Sequence, residues 1–175
     1  MTDLYNISVS SYKRVLGATI ATMEKGAQYF DEQGLDTKEL VEMRLAPDMA
    51  AFPFQVQSVR HHSLGAAKGL TAGGFSPPPS MPDRDYQGYI DLLTETLAEL
   101  DTISEEAITA IEGKAMIFKM GAHEIPFTTE NFVLSFSLPN LYFHATTIYN
   151  MLRIKGVPLG KVDFMGQMSI GLPES

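Results

Sequence analysis

Asn140 and His144 stand four residues apart in the run Ser137-Leu-Pro-Asn-Leu-Tyr-Phe-His-Ala-Thr-Thr147. Four residues is close to one helical turn, so the two side chains share a face. At about 100° per residue, Val133, Phe136, Thr147, Met151 and Ile154 all fall within roughly 40° of Asn140. An apolar stripe that carries an amide, an imidazole and a hydroxyl has two readings. Its polar groups line a cleft for a small molecule or a metal, or Asn140 and His144 satisfy each other in the core. Pro139, beside them, removes a backbone donor and predicts a kink.

A second cluster lies in Gln55-Val-Gln57-Ser-Val-Arg60-His61-His62. Gln57 and His61 are four apart and share a face, nearly opposite the stripe of Phe52, Val56 and Val59. His62 flanks that stripe on the side of Gln55. Either histidine can approach the interior, and an exposed pair of surface histidines is the alternative. His123 reads as a loop residue. Asp48 sits where a helix N-cap is wanted, and a place at the mouth of a bundle would also suit it. Glu105 and Glu106 read as a solvated helix face. No Gly-x-Ser-x-Gly, P-loop, Gly-x-Gly-x-x-Gly or His-Glu-x-x-His pattern is present.

Composition narrows the chemistry. The chain has no cysteine, so thiolate nucleophiles, disulfides and cysteine-ligated metals are excluded. A net charge of -8 argues against a nucleic-acid partner, which needs a basic surface. No apolar run approaches the roughly 20 residues of a membrane span. The N-terminal residues lack the basic and apolar blocks of a signal peptide, so the expected location is cytoplasmic. At 175 residues the chain is expected to form one domain spanning residues 1–175, with its core at about 4–166.

Four stretches have the period of helices that must position these residues. From about Leu4 to Phe30, apolar residues recur every three or four positions, and Gly34 is a stop. A short helix follows, from Asp36 or Thr37 to Met43. The second long helix runs from Pro53 to about Leu70, ended by Gly73-Gly74. Ser76-Pro-Pro-Pro-Ser-Met-Pro82 can be neither helix nor central strand and reads as an extended crossover. The third helix begins near Asp85 and carries Tyr86, Ile90, Leu93, Leu97 and Leu100. Two short apolar runs around Gly121 signal a hairpin. Thr128 or Thr129 caps the last helix, which runs to about Lys155 before Gly156. Four helices, one crossover and one hairpin predict a four-helix bundle.

Several blocks of the chain also carry a family resemblance. They are Leu45-Ala-Pro-Asp-Met49, Gln55-Val-Gln57, Leu138-Pro-Asn-Leu-Tyr-Phe-His144-Ala-Thr-Thr, Leu152-Arg153 and Gly156-Val-Pro-Leu-Gly-Lys161. The sequence resembles an uncharacterised family of the DinB/YfiT-like superfamily of metalloenzymes, from its first helix to about Gly166. The resemblance implies an all-α fold: a DinB-like four-helix bundle of up-down-down-up connectivity, with a long crossover and a small β-hairpin before the last helix. Many members bind a divalent metal through three histidines, one on the second helix and a His-x-x-x-His pair on the last. Some are transferases or isomerases that use mycothiol or bacillithiol.

His144 matches the second histidine of that pair, and Asn140 stands in place of the first. An amide oxygen is a poorer ligand than imidazole for a metal such as zinc. Gln57 and His61 are the nearest candidates for the second-helix ligand, and an acidic residue is usual where this chain has His61. The expectation is a small-molecule enzyme with His144 and His61 as catalytic or metal-ligating groups. Asn140, Gln57 and Thr147 would bind substrate, with a divalent metal (Zn, Ni or Fe) as the candidate cofactor. The alternative is a metal-free ligand-binding or structural protein that has lost catalysis. The partners considered are a small-molecule ligand and a second copy in a homodimer.

Overall fold

The computed structural model describes residues 3–168 and 170–171. Its first helix, α1, opens with a π-helical turn at Asn6–Ser10 and continues as Ser11–Gln33. Tyr12, Leu16, Met23 and Phe30 recur at four- and seven-residue spacing on its buried face. Gly34 ends it with a φ of 64°, a left-handed conformation that glycine adopts without a Cβ clash. The Leu35 amide then returns to the Phe30 carbonyl at 2.8 Å, which closes the helix end.

The second helix, α2, is built from Phe52–Arg60, a π-helical turn at His61–Gly65, and Ala66–Ala72. Asp48 does not cap it. The residue at the cap is Ala51, which makes no side-chain cap bond. Asp48 is exposed in the preceding turn, where the Met49 amide bonds the Ala46 carbonyl. Pro53 in the first turn needs no amide partner and starts the helix instead.

The proline-rich segment after β1 (Gly74–Phe75) is extended, as expected for residues without amide hydrogens. Asp85 then caps α3, Tyr86–Asp101, by accepting from the Gly88 amide at 2.7 Å. The hairpin forms at the expected place: β2 (Ala115–Met120) and β3 (His123–Thr128) pair antiparallel, with Met120 opposite His123. Gly121 takes the first position of the two-residue turn with a φ of 61°. The last helix, α4, runs through Thr129–Phe132, a π-helical turn at Val133–Ser137, and Leu138–Ile154. Thr128 caps it by accepting from the Asn131 amide. Short helical turns at Lys38–Val41, Glu105–Thr109 and Lys161–Met165 fill the connections.

α1 packs against α3 and α4, and α2 packs against α4 and α3. The molecule is thus mostly helical, but it is not all-α. β1 joins the hairpin, parallel to β2, to make a three-stranded sheet in the order β1-β2-β3. A strand of two residues carries no period, so the sequence could not announce it. No helix among the described residues is long and apolar enough to cross a membrane.

Phe52 sits at the meeting point of two elements. It is fully buried, stacked on Tyr86 at 5.5 Å and edge-on to Tyr89 at 6.3 Å. Replacing it removes a large side chain that neighbouring rings cannot refill. Phe52→Ala is expected to cost about 3–5 kcal/mol in urea unfolding. A loss below about 1 kcal/mol would mean that α2 and α3 do not depend on this aromatic contact.

Candidate functional site

The π-helical turn in α4 sets the orientation of everything after it. The Leu138 amide reaches back five residues to the Val133 carbonyl. A wider turn of this kind accepts the ring of Pro139, which lacks an amide hydrogen and would clash in a regular turn. Downstream, Leu141, Ala145, Ile148 and Leu152 form the buried stripe. Of the stripe expected around Asn140, Val133, Thr147 and Met151 are buried, Asn140 itself stands at the edge of the buried face, and Ile154 is 66% exposed. His144 flanks the buried stripe and is half-buried, while Thr147 is buried.

Asn140 and His144 do not satisfy each other. The Asn140 side-chain amide donates to the Phe136 carbonyl at 2.7 Å. The partner of His144 comes from α2: its Nδ1 lies 2.7 Å from Gln55 Oε1. Gln55 is buried, and its Nε2 donates to the Ala50 carbonyl at 2.9 Å, which points its oxygen at the histidine. An amide oxygen can only accept, so Nδ1 carries the proton and Nε2 keeps its lone pair. Burial lowers the His144 pKa to about 4, so the ring is neutral near pH 7.

His62 lies beside it. Its ring is nearly parallel to that of His144, at 6.2 Å and 12°. His62 is 8% exposed, packed near Phe75 and Phe136 at 5.5 and 5.6 Å, and its Nδ1 has no hydrogen-bond partner among the described residues. Burial, reinforced by His61 and His144, lowers its pKa to about 3. The backbone of His62 is held by a buried chain: Tyr12 OH donates to Ser137 Oγ at 2.9 Å, and Ser137 Oγ donates to the His62 carbonyl at 2.9 Å. Two rings complete the surroundings of His144, Phe54 at 5.8 Å and Phe143 at 5.2 Å, both edge-on. They are 44% and 56% exposed, so they form an apolar rim.

His61 and Gln57 face the other way. His61 Nε2 lies 2.7 Å from the Ser76 carbonyl, its ring stacks on Phe75 at 4.3 Å, and the Gln57 amide donates to the Pro79 carbonyl. Both residues fasten the proline-rich crossover to α2. The second-helix residues beside His144 are Gln55 and His62. Their signal was present in the spacing, since at 100° per residue they lie only about 20° apart. Thr147 donates to the Phe143 carbonyl at 2.8 Å and lines a groove of about 410 Å³ with Leu45, Met49, Tyr142 and Phe143. His123 is exposed at the start of β3. Among the described residues, no group of three or more His, Cys, Asp or Glu side chains is placed to hold a metal ion. A cavity of about 1170 Å³ lies between α1 and Val162, Asp163, Gly166 and Gln167, away from these histidines.

The two buried imidazoles link stability to pH. Each has a folded pKa below the value of about 6.5 for an unfolded histidine, so the unfolded chain binds protons first as pH falls. Their contribution is complete above about pH 6.5 and declines towards pH 4. The melting temperature of the wild type is expected to fall more steeply from pH 7 to 4.5 than that of His62→Phe. Parallel curves would show that His62 is solvated in the folded state.

A family model described as a domain of unknown function, DUF1993, matches residues 4–165. Among solved structures, a DinB family member protein from Shewanella denitrificans is similar, with a TM-score of 0.80 and 25% sequence identity. The match covers 97% of this chain and 96% of that one. No curated protein matches the chain. With nearly its whole length inside the family model, this chain belongs to the DUF1993 family.

Proposed function

We propose that the chain is a small-molecule enzyme of DinB-like, up-down-down-up four-helix architecture whose cleft centres on His144. The packing of α1 beside both α3 and α4 supports that connectivity. One observation carries the functional reading: the hydrogen bond from His144 to Gln55 leaves Nε2 as an oriented, unprotonated acceptor behind an apolar rim. A ligand with an apolar body against Phe54 and Phe143 would present a hydroxyl, amine or acidic C–H to that nitrogen. When Nε2 takes the proton, Nδ1–H still points at Gln55 Oε1, so the amide steadies the imidazolium. Thr147 and Asn140 shape the α4 side of the cleft. Gln57 and His61 act through the crossover they hold.

A bound divalent metal (Zn, Ni or Fe) is the second reading, favoured by the unpartnered Nδ1 of buried His62. The donor set nevertheless stops at two imidazoles, His62 and His144. Gln55 has spent its oxygen on His144, and Asn140 has turned its amide nitrogen to the Phe136 carbonyl. Three-histidine metal chemistry does not fit these residues. The metal-free binding protein is the limiting case in which His144 accepts a hydrogen bond without turnover.

A thermal-shift and ligand-observed NMR screen of small polar aromatics tests the site. Compounds that bind the wild type are expected to bind His144→Ala and Phe143→Ala about tenfold more weakly, with unchanged circular dichroism. Equal binding to His144→Ala removes the reading. A melting temperature raised by zinc or nickel in the wild type but not in His62→Phe would establish the metal reading instead.

A further inference from the structure

The opposite face of α2 holds a second polar site. The proline-rich crossover lies over it like a strap, and between strap and helix is a pocket of about 240 Å³. Gln57, Arg60 and His61 line its floor, with Pro79, Met81 and Arg84 on the strap side. No carboxylate lines it. Among the described residues, the guanidinium groups of Arg60 and Arg84 make no salt bridge and no hydrogen bond. Of the carboxylates around it, Glu99 pairs with Lys68 at 2.6 Å and also feels the charge of Arg60, and Asp85 accepts from the Gly88 amide, while exposed Asp83 and Asp85 flank Arg84 in the chain.

The strap does not neutralise these cations either. Prolines supply no amide hydrogens, and two of its carbonyls, those of Ser76 and Pro79, already face His61 and Gln57. Gly65 leaves room for the His61 ring, since a Cβ there would stand 2.8 Å from His61 Nδ1. Any side chain there would push the imidazole off its carbonyl and loosen the strap. In a chain of net charge -8, this small pocket is lined by two guanidiniums without a salt-bridge partner among the described residues. Guanidinium forks match carboxylate and phosphate oxygens in geometry as well as charge.

We propose that the pocket between α2 and the proline-rich crossover binds a small anion, a carboxylate or phosphate group, gripped by Arg60 and Arg84. At about 30 Å³ per water, the volume holds roughly eight waters, enough for phosphate or a short dicarboxylate and too little for a nucleotide. The two arginines do not touch the His144 cleft: around the helix Arg60 lies about 140° from Gln55 and about 160° from His62, and Arg84 is on the crossover.

Inorganic phosphate and succinate are the probes, each titrated by calorimetry and thermal shift against chloride at equal ionic strength. At least one is expected to raise the melting temperature, and the tighter of the two assigns the anion class. Arg60→Gln and Arg84→Gln should each weaken that binding about tenfold. Lys119→Gln, a cation on the hairpin outside the pocket, and His144→Ala should bind as the wild type does. The proposal is overturned if neither probe stabilises beyond chloride, or if both arginine variants keep wild-type affinity. Loss in His144→Ala with retention in the arginine variants would also overturn it, by moving the anion to the other cleft.

Discussion

The buried chain from Tyr12 OH through Ser137 Oγ to the His62 carbonyl ties three helices together at one level. Each member is buried, so each bond replaces water that cannot return. Losing the middle hydroxyl would leave two buried polar groups unpaired, at about 1–3 kcal/mol apiece. The chain also sits where α2 and α4 both depart from regular helix, at His61–Gly65 and Val133–Ser137. Widened turns displace carbonyls from their usual partners, and a side-chain donor from the neighbouring helix is how the His62 carbonyl gains one. The placement of both buried imidazoles follows from this. His62 is positioned by its own carbonyl, and His144 lies less than two turns beyond Ser137.

Much of the helical frame was legible in the sequence because it rests on local physics. Apolar recurrence marked α1, α2, α3 and α4 to within a few residues, and Gly34, Asp85 and Thr128 marked ends through geometry that those residue types favour. The hairpin followed from Gly121 between two apolar runs. Asp48 failed for an instructive reason: a good capping residue is only a cap where the chain enters a helix next, and Pro53 started α2 a few residues later. The strand Gly74–Phe75 exists only because β2 arrives beside it from forty residues away. Nothing local encodes that meeting.

The site was half legible. His144 and its face were visible from spacing, and Gln55 and His62 shared a second one. A helical wheel tells which residues share a face but not which neighbour that face meets. Thr147 and Met151, on the Asn140 side, are buried, but the buried face is broad and centred nearer Leu141 and Ile148, which leaves Asn140 at its edge. His61 came forward through the family resemblance, whereas the spacing alone sets His62 on the side of Gln55. Tautomers were beyond sequence altogether. Only the second bond of Gln55, to the Ala50 carbonyl, shows which nitrogen of His144 is bare.

The outer margin of β3 has its own consequence. The Thr129 amide bonds the Lys114 carbonyl, which places Pro126, opposite Ile117, between hydrogen-bonded pairs of the ladder. The ring nitrogen of Pro126 is thus directed to the unpaired margin, where a fourth strand would need an N–H. Charged Lys119 and Glu124 lie on the neighbouring cross-strand pair. A hairpin whose Met120 and Ile125 side chains are exposed would otherwise invite cross-β stacking of copies. Proline turns that margin into a dead end for polymerisation, so the molecule carries a small sheet without the usual hazard of fibrous growth.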